Sequence, residues 1–224
     1  MPQAFPETKP EVIMASIQDI SAAIETGKVK IIQELVLESV KDGFDPMEIL
    51  NSGMIRAMEN IGERFSRGEA FVPEMLISAR TMKKGVETLK PYLAGSGANT
   101  LGQVVIGTVS GDIHDIGKNL VAMMLESAGF EVIDLGIDVS AERFIQSISE
   151  NESVRIVALS TLLTTTMPAM RRIVEELNQL ETRGRFRVMV GGAPITEEFA
   201  RSIGADGYTA DAASAASMAK SFAV

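Results

Sequence analysis

A chain of 224 residues, 46% of them hydrophobic, can bury a full core as one large domain or two small ones. Its formal charge of −9 and sequence pI of about 4.8 argue against nucleic acid or an anionic membrane as partner, since either would bind against the protein's own field. The absence of cysteine excludes disulfides, thiolate nucleophiles and Cys-ligated zinc or iron–sulfur sites, and suits a reducing cytosol.

The N-terminal stretch MPQAFPETKPEVIMASIQ has no basic segment leading into an apolar one. No window reaches the roughly 18 apolar residues of a membrane span, so a cytoplasmic location is expected. From residue 11 to about 93 the apolar residues recur at helical spacing. Ile13, Ile17, Ile20 and Ile24 form one stripe, and Ile32, Val36 and Val40 form a second after Gly27. A third helix is expected from Asp45 as N-cap and Pro46 at the first position, with Leu50, Met54, Ala57, Ile61 and Phe65 on one face. A fourth follows Pro73 and carries Leu76, Ala79, Met82, Val86 and Leu89. Four such helices with short breaks predict a four-helix bundle over residues 1–93.

The stretch AGSGANTLG, residues 94–102, has almost no apolar anchor and is expected to be a flexible linker. Fully extended, its nine residues span up to about 30 Å, enough for one domain to move against the other. Beyond it, QVVIGTV, EVIDLG, RIVALS and FRVMVGG are short Val- and Ile-rich runs separated by helical stretches, and DGYTA precedes a last helix. Runs of this kind predict strands buried on both faces of a parallel sheet. Five βα units in residues 103–224 make the expected class α/β, a flavodoxin-like, Rossmann-like doubly wound sheet of order 2-1-3-4-5.

Ligands of such sheets sit beyond the carboxyl ends of the strands, at the switch point between the first and third. The segment VVIGTVSGDIHDIGKNL, residues 104–120, lies there and holds the chain's single histidine. A P-loop does not fit, because Gly111 and Gly117 enclose five residues instead of four and Asn119 stands where a hydroxyl should meet magnesium. No G-x-G-x-x-G is present, and no late lysine completes a phosphoacceptor site. What remains is Asp112-x-His114-x-x-Gly117. Asp112 can accept one ring N–H of His114 and fix the imidazole as a metal ligand. One histidine cannot hold a free metal ion, but it can be an axial ligand to a metal already held by a macrocycle.

Together with ALSTLLTTTM at 158–167 and VGGAP at 190–194, this loop resembles the D-x-H-x-x-G, S-x-L and G-G signature of the cobalamin-binding domain of methionine synthase and of the corrinoid proteins of anaerobic methyltransferase systems. The resemblance implies that His114 is the lower axial ligand of cobalt, replacing the cofactor's own dimethylbenzimidazole, and that Asp112 orients it. Thr166 would end the network where the family has a serine. Ser160 would bond the buried base, Leu162 would complete the S-x-L motif, and Thr164 would support the loop. Gly117, Gly191 and Gly192 would leave space for the nucleotide tail, while Tyr208 and Asp211, in GADGYTADAA, would close over it.

The segment IGERFSRGEAFVPEMLISARTM in the helical half resembles the cap over methylcobalamin in the same proteins, which places Phe65 and Val72 above the cobalt-bound methyl group. An apolar lid of that kind would shield reduced cobalt, a strong nucleophile and reductant, from water and oxidants. The resemblance thus implies a methyl carrier, inactive as an enzyme alone. It would serve a substrate-specific methyltransferase and an acceptor methyltransferase that passes the methyl to tetrahydrofolate or coenzyme M, with a reductive activase in support. The alternative is a cobalamin-dependent sensor, whose relatives add a DNA-binding segment and place a tryptophan and a second histidine in the bundle. This chain has no tryptophan, no further histidine and no basic segment. The small subunit of a carbon-skeleton mutase would keep the cofactor slot and have no bundle.

Overall fold

The computed structural model describes residues 16–93 and 100–223. Ile13 and most of the expected linker, residues 94–99, lie outside them. Helix α1 (Ile17–Glu25) begins at a capping box in which the Ser16 side chain accepts from Asp19 N–H and the Asp19 carboxylate accepts from Ser16 N–H. Next come α2 (Ile32–Lys41) and α3 (Pro46–Glu48), the latter with Asp45 accepting from Met47 N–H at 3.0 Å and Pro46 at its start. The third predicted helix is not uniform: α3 runs into a π-helical segment (Ile49–Ile55) before α4 (Arg56–Ser66). The π segment packs on α1, where a Cβ at Gly53 would come within 3.3 Å of Ile17. A wider turn at a glycine lets the two helices approach. Helix α5 (Val72–Leu93) closes the bundle.

Strands β1 (Gln103–Thr108), β2 (Glu131–Asp134), β3 (Val154–Ser160), β4 (Arg187–Gly191) and β5 (Gly207–Tyr208) form one all-parallel sheet of order β2-β1-β3-β4-β5. Between and after them run α6 (Ile116–Ser127), α7 (Ala141–Glu150), α8 (Met167–Asn178), α9 (Glu197–Ser202) and α10 (Ala212–Ala223). The two sheet faces are read directly from alternate residues. Val104, Ile106, Ile156, Ala158 and Met189 join a core with α6, α10 and the bundle. Val105, Val157, Leu159, Val188 and Val190 join a second core with α7, α8 and α9. Burial on both faces holds for β1, β3 and β4, whereas the edge strand β2 is half-exposed.

The bundle rests on the first of these layers, α4 against α10 and α5 against α6. Small residues permit that approach, since a Cβ at Gly62 would already lie 3.1 Å from the Ala213 Cβ. Lys220 of α10 pairs with Glu59 of α4 at 2.6 Å across the seam. Burial alone would push the Glu59 carboxyl up, but Lys220 and Arg56 beside it hold it below its ordinary value.

Candidate functional site

Register brings the site together. Thr108, Ser160 and Gly191 are aligned neighbours at the carboxyl ends of β1, β3 and β4. The loop after β1 turns at Gly111, at φ +84, and is braced from the loop after β2. Asp138 accepts from Gly111 N–H at 2.7 Å and donates its own N–H to the Asp112 carbonyl at 3.0 Å. Asp138 itself has a φ of 54, a left-handed conformation that its short polar side chain tolerates. Thr108 Oγ1 donates to the His114 carbonyl at 2.8 Å. The histidine therefore stands on a loop tied to the end of β1 and to the loop after β2.

Asp112 is fully buried and organises the site. Its Oδ1 accepts from His114 N–H at 3.0 Å and meets His114 Nδ1 at 2.7 Å. Its Oδ2 accepts from Leu162 N–H at 2.7 Å and from Thr161 Oγ1 at 2.8 Å. Burial would push this carboxyl up. The N–H groups of His114 and Leu162, the Thr161 hydroxyl and the His114 ring outweigh burial and hold it well below the usual carboxylate range. A carboxylate against Nδ1 favours, of the two neutral tautomers, the one with its proton on that nitrogen, in which Nε2 keeps the lone pair that a metal would take.

A cavity of about 570 Å³ opens beside this pair, between the strand ends, α6 and α10. His114, Gly117, Ser160, Leu162, Gly191, Gly192 and Asp211 line it, and so does Phe65 from the cap. A Cβ would meet nothing within 4 Å at Gly117 and nothing closer than the Thr209 carbonyl, 3.7 Å away, at Gly191. Ile113, Ile116 and Leu162, on the cavity lining, expose large apolar surface beside the imidazole. Among the described residues no group of three or more His, Asp or Glu could hold a metal ion. The combination fits a flat, largely apolar macrocycle with a tail, its metal already held in plane, and a lone imidazole as the added ligand.

Other expected residues are placed elsewhere. Val72 does not line the cavity and is exposed at the start of α5, so only Phe65 of the expected cap pair reaches the site. Tyr208 packs against the second core, on the sheet face away from α10. Thr164 is exposed in the 3-10 turn Thr164–Thr166 and supports α8 through its carbonyl, which accepts from Met167 N–H. The Asp211 carboxylate is taken up in capping α10, accepting from Ser214 N–H at 2.8 Å and from Ser214 Oγ at 2.9 Å. Gly192 lines the cavity at φ +129, but a Cβ there would fall on the Thr161 carbonyl oxygen. Its constraint is thus the packing of two loops as well as space for a ligand.

Two residues were missed in the sequence. Thr161 lies beside Thr166 in a buried hydroxyl pair, and the row of threonines directly after a buried strand was its only sign. Lys118 is 2% exposed, lines the cavity, and pairs with Asp134 and with Asn119 Oδ1 at 2.7 Å, tying the start of α6 to the end of β2. No spacing rule marks a buried lysine, because burial of its charge depends on a partner from a different element, here β2.

Residues 102–217 match a family described as B12 binding domain, and residues 16–90 match a second family of the same description. The chain is 40% identical over 205 residues to dimethylamine corrinoid protein 1 of Methanosarcina acetivorans, covering 91% of this chain and 95% of that one. A novel cobalamin-binding protein from Desulfitobacterium hafniense superposes with a TM-score of 0.78 at 30% identity, over 92% of this chain and 98% of that one. The methanol:cobalamin methyltransferase complex MtaBC from Methanosarcina barkeri gives a TM-score of 0.79 at 28% identity, over 96% of this chain and 81% of the matched chain.

Proposed function

The chain belongs to the B12-binding corrinoid proteins, and on that premise we propose that it carries a methyl group on cobalt between a substrate-specific methyltransferase and an acceptor methyltransferase. The kinship to a dimethylamine corrinoid protein and to a chain of a methanol:cobalamin methyltransferase complex supports this reading. The observation that carries it is the buried Asp112 carboxylate against His114 Nδ1, which leaves Nε2 as the free donor beside a glycine-lined cavity.

When bound, the corrinoid supplies a cobalt centre able to accept and release a methyl group. His114 would hold it from the lower face, base-off and His-on, with Asp112 fixing the tautomer. Ser160, Gly117 and Gly191 would accommodate the displaced dimethylbenzimidazole and its tail, and Phe65 would exclude water above. On this reading residues 1–93 would be the cap, 94–102 the linker and 103–224 the cofactor domain. Tetrahydrofolate or coenzyme M would take the methyl group, and a reductive activase would restore the reduced metal.

Spin resonance of the protein reconstituted with cob(II)alamin tests the axial ligand. Uniform nitrogen-15 labelling of the protein alone should change the axial superhyperfine pattern from triplets to doublets, and His114→Gly should abolish the protein's coupling. A pattern indifferent to protein labelling would mean that the cofactor's own base remains coordinated, and would end the proposal.

A further inference from the structure

Three hydroxyl and amide donors approach Asp112 Oδ2, and they are not equivalent. Leu162 N–H and Thr161 Oγ1 lie at 2.7 and 2.8 Å, whereas Thr166 Oγ1 stands at 3.5 Å, the outer limit of a hydrogen bond. Thr166 is instead in short contact with Thr161 Oγ1 and 3.0 Å from the Leu163 carbonyl. A hydroxyl has one proton to give. With the Thr161 proton committed to Asp112, the short contact between the two threonines takes the Thr166 proton, so Thr166 is the donor there. That leaves Thr166 no proton to give Asp112 directly.

Thr161 is also the more firmly placed of the two. Its N–H donates to the Gly191 carbonyl at 3.2 Å, and its own carbonyl occupies the space that a Cβ on Gly192 would need. The turn after β4 therefore fixes the residue that meets the carboxylate. We propose that Thr161 is the positioning residue that sets the donor strength of the Asp112–His114 pair, and that Thr166 acts on Asp112 only through it.

The physical reason is the sharing of charge across a carboxylate. Donors on Oδ2 draw electron density from Oδ1, which weakens the bond Oδ1 accepts from His114 Nδ1–H. Without the Thr161 hydroxyl, Oδ1 becomes the stronger acceptor and Nε2 the more basic donor. The consequence for cobalt rests on the function proposed above, but the effect on the imidazole does not.

The chain's single histidine gives one imidazole signal to read. In the nitrogen-15-labelled full-length apoprotein, with all variants compared at one pH, the Nδ1–H proton resonance should move downfield in Thr161→Val and stay at its wild-type position in Thr161→Ser. Thr166→Val should move it less, and the T161V/T166V double variant should match T161V alone, since a residue acting through another adds nothing once the other is gone. An unmoved T161V, a T161S displaced as far as T161V, or a double variant showing the sum of the single shifts would overturn the proposal. Should T161V fail to fold, Thr161→Ala takes its place in the same comparison. With cob(II)alamin bound, the axial nitrogen coupling should be larger in T161V than in wild type, and identical couplings would again overturn the inference. Absence of any protein-nitrogen coupling in the wild type would instead remove the proposed function and leave the apoprotein result standing.

Discussion

Adjacent glycines at the end of β4 should fail in different ways when each is replaced by alanine. At Gly192 the φ of +129 and the overlap of a Cβ with the Thr161 carbonyl act together. A strained backbone costs about 1–3 kcal/mol, and overpacking costs about 1–3 kcal/mol more. The sum is a large share of the roughly 5–15 kcal/mol that stabilises a typical domain. For a chain of this size, Gly192→Ala should lower the melting temperature by roughly 5–20 °C. Gly191 has no such overlap, its nearest neighbour being the Thr209 carbonyl at 3.7 Å. Gly191→Ala should leave the apoprotein within about 3 °C of wild type. Its methyl group, however, takes space on the cavity wall, and a cost of about 1–3 kcal/mol there weakens corrinoid binding roughly 5- to 150-fold. Thermal melts of the two apoproteins and absorbance titrations with hydroxocobalamin separate the effects. If Gly191→Ala melts as early as Gly192→Ala, or binds cobalamin as well as wild type does, the cavity is not the place of the nucleotide tail.

Three further outcomes follow from the same geometry. Because the Asp112 carboxyl is held below its unfolded value of about 3.9, it contributes stability above that pH that is lost as the pH falls toward the folded value. Urea unfolding between about pH 4 and pH 2 should thus show a shallower pH slope in Asp112→Asn than in wild type, and parallel slopes would contradict the hydrogen-bond account. The Glu59–Lys220 pair is partly exposed and worth only about 0.2–1 kcal/mol, so salt should widen the α4–α10 distance distribution in the wild type but not in Lys220→Met. Spin labels on cysteines introduced into this cysteine-free chain would report it, and an equal salt response in both proteins would exclude the pair as a latch. Finally, Gly62→Leu drives a side chain into Ala213 across the seam. Small-angle scattering should show a larger radius of gyration, and an unchanged profile would mean that the seam can absorb the bulk.

What could be read from the sequence was what repeats or stands at fixed spacing. Strand order followed from the alternation of Val- and Ile-rich runs with helices, and the register of Thr108, Ser160 and Gly191 realised it. The Asp112–His114 contact needed only two residues in one loop. The π segment at Ile49–Ile55 escaped because its apolar stripe is nearly that of an α-helix, while the close approach of α1 at Gly53 that goes with it is a tertiary contact. Thr161 escaped because which of several adjacent hydroxyls reaches a carboxylate is decided by the turn after β4, some 30 residues later. The sheet face that Tyr208 takes is a related case. In a two-residue edge strand a shift of one position exchanges the sheet faces, and no pattern that short can fix it.

Helix α10 explains why the cap and the cavity cannot be treated as independent parts. Ala212 and Ala215 line the cavity, whereas Ala213 and Ala216 line the groove toward α4. The helix is thus narrow on two neighbouring sides. Small residues toward the cavity preserve its width, and those toward α4 let Gly62 approach. Its N-terminus is capped by Asp211, itself on the cavity wall, and its last turn holds Lys220 against Glu59. A ligand that displaces α10 by a fraction of an ångström therefore acts on a close-packed seam, which responds to such a shift by separating or repacking because there is little slack to take it up. The cavity and the cap seam thus share one wall, α10, with Ala212 and Ala215 on one side and Ala213 and Ala216 on the other.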